Sequence, residues 1–262
     1  MKKLGKILLV STMAMTLFAC SSNNTKKEET NGVSTLYFVR HGKTMFNNTD
    51  QVQGWSDTPL IEKGEKQADA TGIGMKDIKF TTAYTSDLGR ARATAKRILA
   101  KNGSDVPELI ELVGLREWGY GGYEGKLNHE MWDPIFEAHG LKFDNEWSQY
   151  AELTTMMSDE DIANAIAEND PTHTAETYAE ITKRSQEAVD QIVKETEEKG
   201  GGNALIVSSG SEIPTILELI VPGQYKGEDI SNCSVTIVEY NDGKYTLKVI
   251  GDTSYTEKGT EA

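Results

Sequence analysis

Residues 35–47, TLYFVRHGKTMFN, decide the fold of this chain. The run 36–39 is apolar and rich in β-forming side chains, which is typical of a buried central strand. It leads directly into Arg40, His41 and Gly42. Ligands of open α/β sheets bind beyond the carboxyl ends of the strands. A cation, an imidazole and a glycine at such an end therefore predict an anion site with a nucleophile or a base; an ordinary surface turn is the alternative.

Strands and helices alternate along the rest of the chain. Apolar runs predict strands at 81–85, 108–112 and 204–207, and helices are predicted at 61–77, 86–101, 175–199 and 212–221. Ser86 and Asp87 offer N-cap chemistry for the second of these helices. The sequence Asn-Asp-Gly at 241–243, between runs 235–240 and 244–250, indicates a β-hairpin. This order predicts an α/β fold with three layers, α/β/α, around a mostly parallel central sheet.

The first 33 residues are predicted to lie outside the folded domain. Lys2, Lys3 and Lys6 precede an apolar run that is too short to span a bilayer, so 1–19 is expected to be a signal peptide. The sequence LFAC at 17–20 resembles a lipobox, which predicts cleavage and lipidation at Cys20. Residues 20–33 would then be a lipidated flexible tether. An ordinary secretory signal with an incidental cysteine is the alternative.

The folded part is expected to be one domain at 34–252, followed by a tail at 253–262. Within it, residues 126–170 are rich in Trp, Met and acidic side chains and are predicted to form a mostly helical insertion, or lid. The protein is expected to be exported and held by its lipid at the extracytoplasmic face of the cell membrane.

The charge of the chain excludes some partners. Its formal net charge is −14, and removal of 1–19 would take away three lysines and no acids, which gives −17. Such an excess argues against nucleic acid and against anionic membrane surfaces as partners. An anion site must therefore be a local basic pocket in an acidic surface. Cys233 precedes a strand-like run and is expected to be a small buried hydrophobe.

Four blocks resemble a known family. The pattern RHGxTxxN at 40–47 resembles the signature of the histidine phosphatase superfamily, which includes phosphoglycerate mutases and acid phosphatases. Two further blocks match in the right order, YTSDLGRARATA at 84–95 and LREWGYGGYEG at 115–125. A fourth, ALIVSSG at 204–210, matches except at one position. The resemblance spans about 34–251 and implies a phosphoglycerate mutase-like fold.

The resemblance also implies roles for individual residues. His41 would be the nucleophile that forms a phosphohistidine, and Glu117 would be the acid that protonates the leaving oxygen. Arg40 can grip two phosphate oxygens with its planar fork, and Arg90 holds the place of a second clamp. No metal or other cofactor is then required. The residues predicted to contact substrate are Thr44, Asn47, Gln53, Gly54 and Ser209.

Ser209 is where the chain departs from the family pattern, which places a second histidine at this position. Serine can still donate a hydrogen bond, but its hydroxyl is shorter and uncharged. Loss of one such donor typically costs about 10²–10³ in rate. Reduced activity is therefore expected rather than none. Whether His173, just before a predicted helix, substitutes for the missing imidazole is an open alternative.

The sequence features and the family resemblance support three alternative functions. The first is a membrane-anchored extracytoplasmic phosphatase that hydrolyses small phosphomonoesters, with reduced activity. The second is a degenerate lipoprotein that binds phosphate or a phosphoester without turnover. The third, a phosphoglycerate mutase, suits the motifs but not an exported protein. The expected partners are a small phosphorylated substrate or phosphate, and the membrane through the lipid on Cys20.

Overall fold

The computed structural model describes residues 32–103 and 106–262. The predicted signal peptide, Cys20 and most of the predicted tether lie outside these residues and stay predictions. In the described part of the chain, no helix is long and apolar enough to cross a membrane.

A six-stranded mixed sheet forms the centre of the domain, in the order β3-β2-β4-β1-β5-β6. Its strands are β1 (Ser34–Arg40), β2 (Phe80–Thr85), β3 (Leu109–Glu111), β4 (Gly202–Ser208), β5 (Val235–Asn241) and β6 (Lys244–Asp252). Neighbours among β3, β2, β4 and β1 are parallel, whereas β5 is antiparallel to both β1 and β6. The predicted α/β fold, the mostly parallel sheet and the terminal hairpin are confirmed.

The helices are α1 (Met45–Asn48), α2 (Glu62–Gly74), α3 (Gly89–Asn102), α4 (Asn128–Ala138), α5 (Tyr150–Met156), α6 (Asp159–Asn169), α7 (Tyr178–Glu198), α8 (Glu212–Ile220) and α9 (Ser254–Glu261). Two short 3₁₀ helices, Val113–Leu115 and Gly121–Tyr123, lie between β3 and α4.

Alternation along the central strands creates the two helical layers. Leu36 and Phe38 of β1 share one apolar cluster with buried side chains of α7 and α8. Val39 of β1 and Leu205 of β4 share the other with side chains of α3. Successive strand side chains point to opposite faces, so a continuous apolar run buries both faces of the sheet at once.

The insertion has a core of its own. Helices α4, α5 and α6 confirm that 126–170 is mostly helical. Its tryptophans pack edge to face, with ring centroids 5.2 Å apart for Trp132 and Trp147 and 5.0 Å apart for Phe143 and Trp147. The buried apolar cluster that contains Trp132 and Phe143 also includes Trp118 and Tyr120, which follow Glu117. The insertion is therefore packed against the loop of the third block.

The predicted tail at 253–262 is wrong, because these residues form α9 and pack on α2. A Cβ atom at Gly74 would lie 1.9 Å from the Tyr255 carbonyl oxygen, so the two helices approach too closely for any side chain there. The Thr71 and Thr256 hydroxyls are 2.7 Å apart across the contact. Helix α9 is therefore part of the folded domain. The short polar sequence of α9 gave no apolar pattern from which to predict it.

Candidate active site

The carboxyl end of β1 is held from both sides. On one side, the backbone N–H of His41 donates to the Ser208 carbonyl of β4 at 3.0 Å. On the other side, the N–H of Cys233 donates to the Arg40 carbonyl at 2.9 Å. Cys233 itself is fully buried, and burial raises the pKa of its thiol to about 12, as expected of a small buried hydrophobe.

The His41 imidazole is fixed in one tautomer and held neutral. Its side chain is 3% exposed, and Nδ1 lies 2.9 Å from the Gly42 carbonyl oxygen. A carbonyl oxygen only accepts, so Nδ1 carries the proton and the lone pair is on Nε2. Burial, followed by the charges of Arg90 and Arg40, holds the pKa of His41 well below its ordinary value. The imidazole is therefore uncharged at neutral pH.

Arg40 is partly buried next to the turn that follows β4. Its Nη1 donates to the Ile230 carbonyl at 2.7 Å, and its Nε is buried without a hydrogen-bond partner in the described chain. A Cβ atom at Gly210 would lie 3.3 Å from the guanidinium carbon, so glycine leaves room for this cation. Burial lowers the pKa of Arg40, but an arginine stays charged in proteins.

Arg90 differs from the predicted clamp. Its side chain is fully buried, and both terminal nitrogens are occupied by the loop at 53–57. Nη1 donates to the Ser56 carbonyl and to Asp57, and Nη2 donates to the Gln53 and Gly54 carbonyls. Of its five N–H donors, only that on Nε lacks a partner among the described residues. Arg90 therefore brings positive charge to the site, but few of its N–H groups are left to bind a phosphate.

The loop that holds Arg90 is itself held by Glu124. This carboxylate accepts from three consecutive backbone N–H groups, Gly54 at 3.1 Å, Trp55 at 2.7 Å and Ser56 at 2.8 Å. It also accepts from the Tyr120 N–H at 3.0 Å. This role of Glu124 was not predicted from the sequence. The glycine-rich stretch around it could have indicated the role, because tight loops leave backbone N–H groups that need an acceptor.

Gln53 and Gly54 have their polar groups occupied within the protein. The Gln53 side chain accepts from Thr44 Oγ1 and donates to Thr58 Oγ1 at 3.1 Å. The Gly54 N–H is bound by Glu124. Both residues act on the site through Arg90, and their direct contact with substrate stays a prediction.

Thr44 and Asn47 form the start of α1 as a capping box. Thr44 Oγ1 accepts from the Asn47 N–H, and Asn47 Oδ1 accepts from the Thr44 N–H, each at 3.2 Å. Asn232 Nδ2 donates to the His41 carbonyl at 2.9 Å and lies 3.5 Å from Asn47 Oδ1. These contacts fix the Asn47 amide oxygen, which leaves its Nδ2 as the donor for an anion. Asn232 was not among the predicted site residues, since nothing local marks its contact across 191 positions.

Glu117 connects the third block to the turn after β4. It is 7% exposed, and its two oxygens accept from the Trp118 N–H at 2.9 Å and the Ser211 N–H at 3.0 Å. Its backbone carbonyl accepts from Trp55 Nε1 and from Arg184, both at 3.1 Å. The carboxyl is thus fixed beside the turn that contains Ser209.

Ser209 and His41 stand at matching positions of neighbouring strands. Arg40 pairs with Ser208 in the parallel register of β1 and β4, so the next residue on each strand is His41 or Ser209. Ser209 is fully buried, and its hydroxyl has no hydrogen-bond partner in the described chain. His173 lies in an exposed turn, and its substitution for a second imidazole stays a prediction.

The N-cap of α3 is not Ser86 or Asp87 as predicted. Leu88 occupies that position without a side-chain cap, and the Asp57 carboxylate instead accepts from the Gly89 N–H at 2.7 Å and the Arg90 N–H at 3.3 Å. Asp87 binds Arg116. A carboxylate distant in sequence therefore satisfies the first turn of the helix that carries Arg90.

Unpartnered polar atoms concentrate at this edge of the sheet. Seven buried side-chain N or O atoms lack a partner among the described residues, and six of them lie at or beside the carboxyl ends of β1, β2 and β4. They belong to Arg40, Thr85, Ser86, Arg90, Ser209 and Ser234. Buried polar groups in folded proteins are almost always hydrogen-bonded, so their concentration marks a place built for a polar ligand. Within 32–103 and 106–262, no three His, Cys, Asp or Glu side chains are grouped as metal ligands.

A buried neutral imidazole lies within electrostatic reach of two guanidinium groups, and the Glu117 carboxyl lies within reach of both arginines. This combination is typical of a site for phosphoryl groups. The family model of the histidine phosphatase superfamily, branch 1, matches residues 36–157 and 136–253. The chain belongs to this superfamily.

Similar proteins include both mutases and phosphatases. A crystal structure of phosphoglycerate mutase from Bacillus anthracis is 37% identical and superposes with a TM-score of 0.80, covering 89% of this chain and all of that one. A metal-independent phosphoserine phosphatase of Arabidopsis thaliana is 28% identical over 85% of this chain and 83% of its own. A 2,3-bisphosphoglycerate-dependent phosphoglycerate mutase of Bartonella tribocorum is 41% identical over 99 residues, 37% of this chain and 48% of the relative.

Proposed function

We propose that this protein is a phosphatase that hydrolyses small phosphomonoesters through a phosphohistidine at His41. The observation that carries the proposal is the state of His41, which is buried, neutral and fixed with its lone pair on Nε2 beside two cations. A neutral imidazole with a defined tautomer is what nucleophilic attack on phosphorus requires.

In the first step, His41 Nε2 forms a bond to phosphorus while the bond from phosphorus to the leaving oxygen breaks. Glu117 gives a proton to that oxygen, and the alcohol departs. In the second step, water attacks the phosphohistidine, Glu117 takes a proton from the water, and phosphate and free His41 result. Arg40 and Arg90 offset the charge of the phosphoryl oxygens in both steps.

The proposed address is the extracytoplasmic face of the cell membrane, through a lipid on Cys20. It is supported by the basic start, the short apolar run and the LFAC sequence at 17–20. Cys20→Ser is expected to release the protein from membranes or to block its processing. A processed Cys20→Ser protein that still fractionates with membranes would count against lipidation.

A binding protein without turnover is the second candidate, and Ser209 is the observation that favours it. The hydroxyl at this position supplies no charge, and the Arg90 fork is occupied by carbonyls. Both features lower the stabilisation available to the transition state. The names of the mutase relatives supply a third candidate, transfer of the phosphoryl group to a second substrate hydroxyl instead of water.

One assay separates these candidates. Phosphate release is measured across a panel of phosphomonoesters over a range of pH, with wild type and His41→Ala, and 3-phosphoglycerate is included to detect isomerisation. The proposal expects phosphate release that depends on His41. Anion binding without release would favour the binding protein, and isomerisation faster than release would favour the mutase.

A further inference from the structure

Ser86 is the first residue after β2, and it takes no part in the two proposed chemical steps. Its side chain is fully buried, and its hydroxyl has no hydrogen-bond partner in the described part of the chain. Its backbone is fixed, because its N–H donates to the Val207 carbonyl of β4 at 3.1 Å. A rigidly placed, buried and unpartnered hydroxyl needs an explanation other than folding.

The position of Ser86 supplies one. Thr85 of β2 pairs with Val207 of β4, and Ser208 of β4 pairs with Arg40 of β1. Ser86, Ser209 and His41 therefore follow three neighbouring parallel strands at the same edge of the sheet. In the register, Ser86 is level with Ser208 and Arg40, one residue before Ser209 and His41. Ser86 also lies four residues before Arg90, in the segment that leads into α3.

The two arginines do not supply all the hydrogen-bond donors that a phosphoryl group can accept from. Arg90 retains one unpartnered N–H, on Nε, and Arg40 Nη1 is bound to the Ile230 carbonyl. A phosphoryl group presents three equatorial oxygens whose charge must be met by directed donors. Arg40 and Asn47 Nδ2 can bind some of these oxygens, but Arg90 has one unpartnered N–H for them, so other buried donors can bind the rest.

We propose that Ser86 and Ser209 form a pair of hydroxyl donors to the equatorial oxygens of the phosphoryl group, which makes Ser86 a further substrate-binding residue. This inference rests on the proposed function, since it concerns the same site. The ligand class is a phosphoryl group in transfer, for which vanadate is a trigonal-bipyramidal probe. With both hydroxyls in place, the site partly makes up for the absence of an imidazole at position 209.

The test compares Ser86→Ala, Ser209→Ala and the double variant with wild type, in kcat on one phosphomonoester and in inhibition by vanadate. Ser34→Ala is the matched control, because Ser34 is also fully buried and unpartnered but begins β1 at the opposite edge of the sheet. Ser86→Thr retains the hydroxyl and should retain most of the activity.

We expect Ser86→Ala to lower kcat by about 10–10²-fold and to weaken vanadate inhibition by about 10-fold, less than loss of a backbone-type oxyanion donor because the arginines remain. Ser34→Ala should change both within about twofold. The thermal midpoint of Ser86→Ala should not fall, since no intramolecular hydrogen bond is lost.

Two results would overturn the inference. One is a Ser86→Ala protein with the kinetics of Ser34→Ala, and the other is a Ser86→Ala protein whose midpoint falls along with its activity, which would show a structural hydroxyl. With either result, the proposed function still stands if wild type is inhibited by vanadate and its turnover needs His41. If wild type shows neither property, the proposed function is wrong, and the inference fails with it.

Discussion

His41 and Ser209 occupy equivalent places at the ends of two neighbouring parallel strands, yet their surroundings differ. The His41 ring is bound by the Gly42 carbonyl, and its backbone is bound by Asn232 and β4. The Ser209 hydroxyl has no partner within the described chain. The side of the site that holds His41, the proposed nucleophile, is therefore preorganised, while the side that holds Ser209 offers a short neutral donor. Under the proposed function, this difference would leave attack by His41 intact while less stabilisation reaches the transition state.

Among the residues that support the site from outside, the largest effect is expected at Glu124, which supports the nucleophile side through the loop of Arg90. Glu124→Gln removes the charge and one acceptor oxygen from four backbone N–H groups, so the Arg90 carbonyl partners should loosen. We expect kcat/KM to fall by about 10–10²-fold, the usual cost of misplaced charge in a transition state. Steady-state kinetics on one phosphomonoester measure it.

Glu130→Gln is the matched control for this change. The Glu130 side chain also accepts from a backbone N–H, that of Leu127 at 3.1 Å, but it lies on the insertion. It should keep wild-type kinetics. Equal kinetics for the two variants would show that Arg90 does not depend on the Glu124 carboxylate.

A smaller effect is expected at Asn232, which touches the nucleophile side directly. Asn232→Ala removes the donor to the His41 carbonyl and the neighbour of Asn47 Oδ1, so the positions of His41 and Asn47 should be less fixed. We expect kcat to fall by about 2–10-fold, which corresponds to the loss of one neutral hydrogen bond, about 0.5–1.5 kcal/mol. Asn203→Ala, which removes a donor to Lys79 at the opposite edge of the sheet, should leave kcat unchanged.

The smallest effect on turnover is expected behind the Ser209 side, where the pH dependence of stability should change instead. Glu212 is fully buried at the start of α8, and burial raises its pKa from 4.5 to about 8 in spite of Arg184 and Ser185. Nearby Glu117 and Glu176 raise it further. Between pH of about 4.5 and 8 the folded state binds more protons than the unfolded state, so stability falls as pH rises.

Glu212→Gln should flatten this decline, which thermal midpoints across pH 5 to 8 would show. Glu218→Gln, at an exposed position of the same helix, should keep the wild-type slope. If Glu212→Gln retained the slope, the buried carboxyl would not be the group that titrates.

Much of this architecture could be predicted from the sequence because its signals are local. The strand that leads into Arg40 and His41, the paired strands around 241–243 and the helical insertion each carry their own pattern. The supports of the site could not be predicted in this way. Asn232, Glu124 and Asp57 act across 32 to 191 positions, on backbone groups that the sequence does not display. The occupied fork of Arg90 is likewise visible only once the loop at 53–57 is in place.

The measurement that tests the central claim most directly is the turnover of Ser209→His. An imidazole at 209 would restore a donor that strengthens as the transition state forms, so the gain should lie in kcat more than in KM. Wild type, His41→Ala, Ser209→His and the double variant are compared on one phosphomonoester. We expect kcat of Ser209→His to rise by about 10–10³-fold, and both proteins with His41→Ala to be inactive. A fast wild type that is slowed by the histidine would contradict the account, because Ser209 would then belong to a differently arranged catalytic site.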